Sequence, residues 1–152
     1  MIGNYGVDDA RSEADRPRAA GVVMREARGP AWLEWLAAEG LPALSGVDTG
    51  SLVLHLRGRG AMRAALVAGE MAVGDALEAV RAQPTMRGAA LAARVSATAP
   101  YRVGDGPQRI AVVDYGVKRS ILRRLAGTGV AVTVFPHDVD ADTLAGYDGV
   151  LL

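Results

Sequence analysis

From Arg109 onward the sequence alternates between two periodicities, and this alternation restricts the fold more than any other feature. Arg109-Ile110-Ala111-Val112-Val113-Asp114 is a short apolar run closed by a carboxylate. Gly116 supplies a turn, and residues 118–126 then read as a helix with Ile121, Leu122 and Leu125 on its apolar side. Gly127 and Gly129 end that helix. Val130-Ala131-Val132-Thr133-Val134-Phe135 is a second strand-like run, stopped by Pro136. Residues 140–144 read as a short helix, and Gly149-Val150-Leu151-Leu152 starts a third strand. Strand, helix, strand, helix, strand is the opening of a parallel doubly wound α/β sheet, with right-handed crossovers. A parallel strand needs neighbours on both sides, so an apolar run that reaches residue 152 with no turn after it reads as a chain cut inside a larger fold.

The first part of the sequence is less regular. Residues 20–25 form a short apolar run expected as a strand. Pro30 opens a helix, because its missing N–H costs nothing in the first turn, and Trp32, Leu33, Trp35 and Leu36 line one face of it. Gly40 and Pro42 stop it. Asp48 or Thr49 is a plausible N-cap for a helix over residues 51–57, ending near Gly58 or Gly60. Residues 62–68 read as a strand. Residues 75–83 read as a helix with Ala76, Leu77 and Val80 inward, and Pro84 lies just past its end. Residues 98–108 hold two Pro and two Gly, a composition typical of a boundary. The expected organisation is a domain over 1–98, a linker over 99–107 and a second domain over 108–152.

Composition narrows the function classes. Half of the 152 residues are hydrophobic, and Lys+Arg and Asp+Glu are both 17. That apolar fraction excludes intrinsic disorder, and the zero net charge lacks the basic excess of a general nucleic-acid binder. With no cysteine, the chain has no disulfide, no thiolate zinc site and no cysteine nucleophile of its own. No apolar run approaches the roughly 18–20 residues of a membrane helix, and Met1 and the acidic residues after it do not form a signal peptide. The expectation is a cytoplasmic protein with no membrane or nucleic-acid partner and no metal.

Few residues stand out as chemistry. Asp114, Gly116 and Lys118 occupy the first strand-to-helix turn, where α/β sheets bind ligands. A carboxylate and an ammonium there can orient a polar substrate, but the same residues make a plain turn: Asp for capping, Gly for positive φ, Lys as a solvated helix start. Lys118 is the sole lysine; every other cationic side chain is Arg. Neither G-x-x-x-x-G-K-[ST] nor G-x-G-x-x-G follows this strand, so no phosphate loop is present. His55 sits among Leu52 and Leu56, which suits a structural hydrogen bond, and His137 follows Pro136 at a possible site edge. The two Trp residues read as core, or less readily as a partner-facing surface. Asp8, Asp9, Glu13 and Asp15 lack the spacing of a calcium loop, and with Arg11, Arg16 and Arg18 beside them they read as a solvated, salt-laced loop.

Five stretches in order resemble the small, glutamine-hydrolysing subunit of carbamoyl-phosphate synthetase. Ile2-Gly3-Asn4-Tyr5-Gly6 resembles that family's I-G-N-x-G stretch. Ala43-Leu44-Ser45-Gly46-Val47-Asp48-Thr49 is similar to its segment ending in Asp-Thr. His55-Leu56-Arg57 followed by Gly60-Ala61-Met62-Arg63 resembles its HLR-x-x-GAM-R segment. Val113 to Arg123 is similar to its YDFG-x-KRNILR signature, and Asp148-Gly149-Val150-Leu151-Leu152 to its DG-[IV]-[FL]-L run. Gly50 and Leu54 stand where the family usually has Arg, Ser120 where it has Asn, and Met1 where His is common.

The resemblance implies a small N-terminal α/β domain followed by the start of a flavodoxin-like class I glutamine amidotransferase domain. It implies that the chain is an interior piece. A family segment with a glutamine-contacting Ser would precede Met1; the S-N-G-P-G-D loop, the Cys nucleophile and its His and Glu partners would follow Leu152. No catalytic residue would then lie in this chain, and Asp114, Gly116 and Lys118 would support the glutaminase site. The implied partner is the synthetase large subunit in a heterodimer, with ATP and Mg2+ on that partner and glutamine as substrate. The implied product serves arginine and pyrimidine biosynthesis, and the piece alone would be inactive. A non-catalytic module docking on the large subunit, and an unrelated α/β small-molecule-binding domain, are the alternatives.

Overall fold

The computed structural model describes residues 7–152, which form two compact units. In the first, β1 (Val22–Val23) pairs in parallel with β2 (Ala43–Leu44), and α1 (Pro30–Ala38) connects them. Pro30 does open α1, and Gly40, at φ +63°, turns the chain after it. The core of this unit is Val22, Met24, Trp32 and Leu36, with Trp35 packed against it. Trp32 and Trp35 stack with centroids 5.3 Å apart, whereas Leu33, assigned to the same face, is half exposed. The difference follows from helical spacing: residues 32, 35 and 36 share a stripe that residue 33 leaves.

The helix α2 (Thr49–Arg59) begins at Asp48, whose carboxylate accepts from the Gly50 and Ser51 N–H groups at 3.1 and 3.2 Å. Gly60 ends it. No residue of α2 is buried, so its leucines and His55 face outward and His55 has no enclosed structural setting. The helix α3 (Val73–Ala82) follows; Ala76 and Val80 are partly covered, but Leu77 is half exposed. Residues 62–68 are not a strand. Their apolar character fits one, but no strand among the described residues offers them a ladder, and a lone extended segment gains no sheet hydrogen bonds.

The second unit comprises Arg11–Asp15 and Gly88–Leu152. Its sheet contains β3 (Tyr101–Val103), β4 (Arg109–Val113), β5 (Ala131–Phe135) and β6 (Gly149–Leu151), in the order β3-β5-β4-β6. The three later strands are parallel, with Val112 opposite both Val134 and Leu151. The helices α4 (Arg119–Ala126) and α5 (Ala141–Ala145) make the two crossovers. Mixed α/β structure is thus observed, with the strand–helix alternation where the sequence places it.

The stretch expected as a linker, 99–107, holds a strand instead. Tyr101, Arg102 and Val103 pair antiparallel with Val134, Thr133 and Val132, covering the free edge of β5. The compact unit accordingly starts at Gly88, well before residue 108. Val112, Val132 and Val134 are the largest fully buried side chains, and Leu122 of α4 packs on them. At the opposite end of the strands Asp148 closes β4: it accepts from the Arg109 N–H at 2.7 Å and returns its own N–H to the Arg109 carbonyl at 2.9 Å. Arg109 also lies over the Tyr147 ring, 4.5 Å from its centroid. No helix among the described residues is long and apolar enough to cross a membrane.

Candidate functional site

The strand order sets the geometry. The chain runs from β4 to β5 on one side, then returns past β4 to β6 on the other. The carboxyl ends of β4 and β6 therefore flank a topological switch point, where open α/β sheets leave a crevice. A cavity of about 250 Å³ lies there, lined by Val113, Tyr115, Gly116, Val117, Ile121 and Leu151 among others. Its walls are mainly apolar, and the 114–118 turn forms its rim.

Asp114 organises that turn. It is 6% exposed, the sole buried charged side chain among the described residues. One carboxylate oxygen accepts from the Gly116 and Val117 N–H groups, each at 2.9 Å. The other accepts from the Ala97 N–H at 2.7 Å. Three donors satisfy a carboxylate that burial would otherwise penalise. The Asp114 N–H extends the ladder to the Phe135 carbonyl at 2.8 Å. Gly116 has φ +101°, and a Cβ there would meet a Val95 methyl at 3.2 Å. Asp114 and Gly116 thus build the turn. Because Asp114 occupies the Gly116 and Val117 N–H groups, the turn offers no phosphate cradle.

Lys118 is the exposed N-cap residue of α4, and its side chain caps nothing. Of the three candidates it alone has a side chain exposed to solvent. The chain on either side of it is fixed: Asp114 holds residues 116 and 117, and a distant segment holds residues 119 and 120. Arg119 donates its N–H to the Glu13 carbonyl at 3.1 Å, and the Ser120 N–H reaches a Glu13 carboxylate oxygen at 2.8 Å. Arg119 also pairs with Asp15, and Arg123 lies 4.0 Å from Glu13. The Ser120 hydrogen bonds, aided by Arg123 and Lys118, hold the Glu13 carboxyl below its ordinary pKa. Glu13 and Asp15 thus lie in an exposed, salt-laced loop that also docks on α4; a local sequence window carries no signal for a partner 107 residues away.

His137 is partly buried near the end of β5, and its N–H donates to the Ser96 hydroxyl at 2.9 Å. Ser96 is adjacent to Ala97, so the 96–97 segment ties the ends of β4 and β5 together. The imidazole lies 4.0 Å from the neighbouring Asp138 carboxylate. Among the described residues no three His, Asp or Glu side chains are grouped as metal ligands would be.

Comparison with known proteins shows what the chain is similar to. The family model described as "Carbamoyl-phosphate synthase small chain, CPSase domain" matches residues 1–66. A carbamoyl phosphate synthase small chain from Parasynechococcus marenigrum is 39% identical over 176 residues, covering 99% of this chain and 46% of that protein. Over nearly its whole length the chain is similar to carbamoyl phosphate synthase small chains. The Methanopyrus kandleri small chain is 39% identical over 97% of this chain and 44% of its own length. An arginine-specific small chain from Aspergillus fumigatus is 37% identical over all of this chain and 37% of its own length. The chain thus spans less than half the length of these small-chain relatives. The family match spans most of the first unit, while the relatives extend the likeness through the 114–118 turn and β6.

Proposed function

We propose that this chain is part of a glutamine-dependent carbamoyl-phosphate synthetase, in which the small subunit releases ammonia from glutamine for the large subunit. The observation that carries this reading is the β5-β4-β6 parallel order with the 114–118 turn at its switch point, in a chain whose relatives are carbamoyl phosphate synthase small chains. On this reading the second unit is the opening of a class I glutamine amidotransferase domain of flavodoxin-like topology. Its partner is the large subunit, which carries ATP and Mg2+, and the assembly is a cytoplasmic heterodimer. The product feeds arginine and pyrimidine synthesis.

Asp114, Gly116 and Lys118 support the glutamine site in unequal ways. Asp114 and Gly116 shape the turn, and Lys118 supplies the charge. An ammonium is a compact point charge on a flexible stem, suited to steering an anionic group of the substrate at the rim of an apolar cleft. The hydrolysis itself needs a thiolate attacking the amide carbon and a base that passes a proton to the departing ammonia. The 152 residues contain no cysteine, so this polypeptide alone releases no ammonia from glutamine.

The test is Lys118→Met in the complete synthetase. Glutamine-dependent synthesis should fall by about one to two orders of magnitude, as for loss of a positioning group, while ammonia-dependent synthesis is spared. Equal loss with both nitrogen sources would assign Lys118 to folding or assembly. Unchanged glutamine kinetics would return it to a solvated helix start.

A further inference from the structure

We infer that Glu13 is a positioning residue for the candidate site: the Arg11–Asp15 segment is a strap that fixes the start of α4 and, through it, the placement of Lys118. The inference rests on the reading of Lys118 given above and adds a residue that no sequence motif singles out. Its geometry is specific. The first N–H groups of a helix have no partner within it, and Lys118, at the N-cap, provides no side-chain acceptor. Glu13 takes that place from far along the chain, accepting from the Arg119 N–H with its carbonyl and from the Ser120 N–H with its carboxylate.

The strap has two further fastenings. Arg119 donates to the Ala14 carbonyl at 3.3 Å and pairs with Asp15. The carboxylate of Glu13 also places a negative charge at the positive end of α4, a favourable arrangement. Lys118 then lies between two anchored pairs, residues 116–117 on Asp114 and residues 119–120 on Glu13. Removing the second anchor leaves its backbone fixed on one side only. A side chain that must orient a substrate depends on such support, because small misplacements are costly in rate.

The experiment compares Glu13→Ala with Glu13→Gln. Glutamine keeps an acceptor oxygen for Ser120; alanine does not. In the 152-residue chain, Glu13→Ala should speed amide exchange at Ser120 at least tenfold, with Val132 and Val134 unchanged as the control for folding. Glu13→Gln should restore most of the protection. In the complete synthetase Glu13→Ala should lower glutamine-dependent kcat/KM about three- to tenfold and spare the ammonia-dependent rate. Combined with Lys118→Met it should add no further loss, because both changes remove the same interaction. Additive losses, or wild-type exchange at Ser120, would overturn the strap. If Lys118→Met proves silent, the site reading fails, and the exchange measurement, which needs no glutamine, still decides whether the strap exists.

Discussion

The Asp114 carboxylate accepts a hydrogen bond from the Ala97 N–H at 2.7 Å, joining the end of β4 to a segment that precedes the whole sheet. Its second oxygen holds the Gly116 and Val117 N–H groups. Asp114→Asn replaces one acceptor oxygen by an NH2, so a donor then faces either Ala97 or the turn amides. Loss of a buried hydrogen bond of this kind costs about 1–3 kcal/mol. Denaturant unfolding followed at residues of the second unit should show that loss, and an unchanged midpoint would mean that water replaces the missing acceptor.

Gly116→Ala should destabilise the same turn for two reasons. A left-handed φ costs a non-glycine residue roughly 1–2 kcal/mol, and the new Cβ presses on Val95 at 3.2 Å. Gly129 provides the comparison within the unit: its φ is +81°, but a Cβ there meets nothing within 4 Å. Gly116→Ala should therefore lower stability more than Gly129→Ala in parallel urea titrations. Equal losses would show that the 95–97 segment yields freely.

These two positions mark how far the sequence is readable. The β4–α4–β5–α5–β6 order is visible because each element carries its own signal: a β-branched run, a helical stripe, or a Gly or Pro stop. The strand β3 is not visible. Its residues, Tyr101 to Val103, are flanked by Pro100 and Gly104, and only the open edge of β5 makes them a strand. The opposite error occurs at residues 62–68, whose apolar content suits a strand but which pair with no strand among the described residues. The local pattern places Asp114, Gly116 and Lys118 in one strand-to-helix turn, but the hydrogen bonds to Ala97 and Glu13 that brace this turn are not legible there. Those are long-range contacts, and local patterns do not encode them.

Packing on the sheet should be sharply uneven along α4. Leu122 is 4% exposed and belongs to the valine core, whereas its neighbour Ile121 is 40% exposed on the cavity wall. Leu122→Ala should cost about 2–5 kcal/mol, from lost transfer energy and the hole left behind. Ile121→Ala should cost much less. Thermal or denaturant unfolding of the two variants checks the order, and similar losses would mean that the cavity wall is as tightly packed as the core.

The helix α2 should be weakly protected in hydrogen exchange. None of its residues is buried, and Gly50 and Gly58 within it each lower helix propensity by about 1 kcal/mol relative to Ala. A helix of this length without tertiary packing is marginal in water. Amides in β4 and β5, between fully buried valines, should exchange slowest. Protection in α2 equal to that in β5 would require a covering surface.

Acid should loosen the α4 strap before it unfolds the sheet. The Glu13 carboxyl sits below its ordinary pKa, chiefly because its charged form accepts from Ser120, with Arg123 and Lys118 adding attraction. The sign follows from linkage. A group that binds its proton less readily when folded stabilises the fold above its unfolded pKa. That contribution is lost as pH falls through the lowered value. Asp140 behaves alike at α5, where it accepts from the Thr143 N–H at 2.7 Å and is likewise held low by that bond. The Ser120 and Thr143 amide resonances, followed by NMR as pH is lowered, should each report a midpoint below the ordinary carboxyl value. Glu13→Gln should abolish the Ser120 titration and leave that of Thr143 in place. A Ser120 midpoint at or above the ordinary glutamate value would mean that the carboxylate is not the acceptor, and the charge-assisted cap of α4 would have to be abandoned.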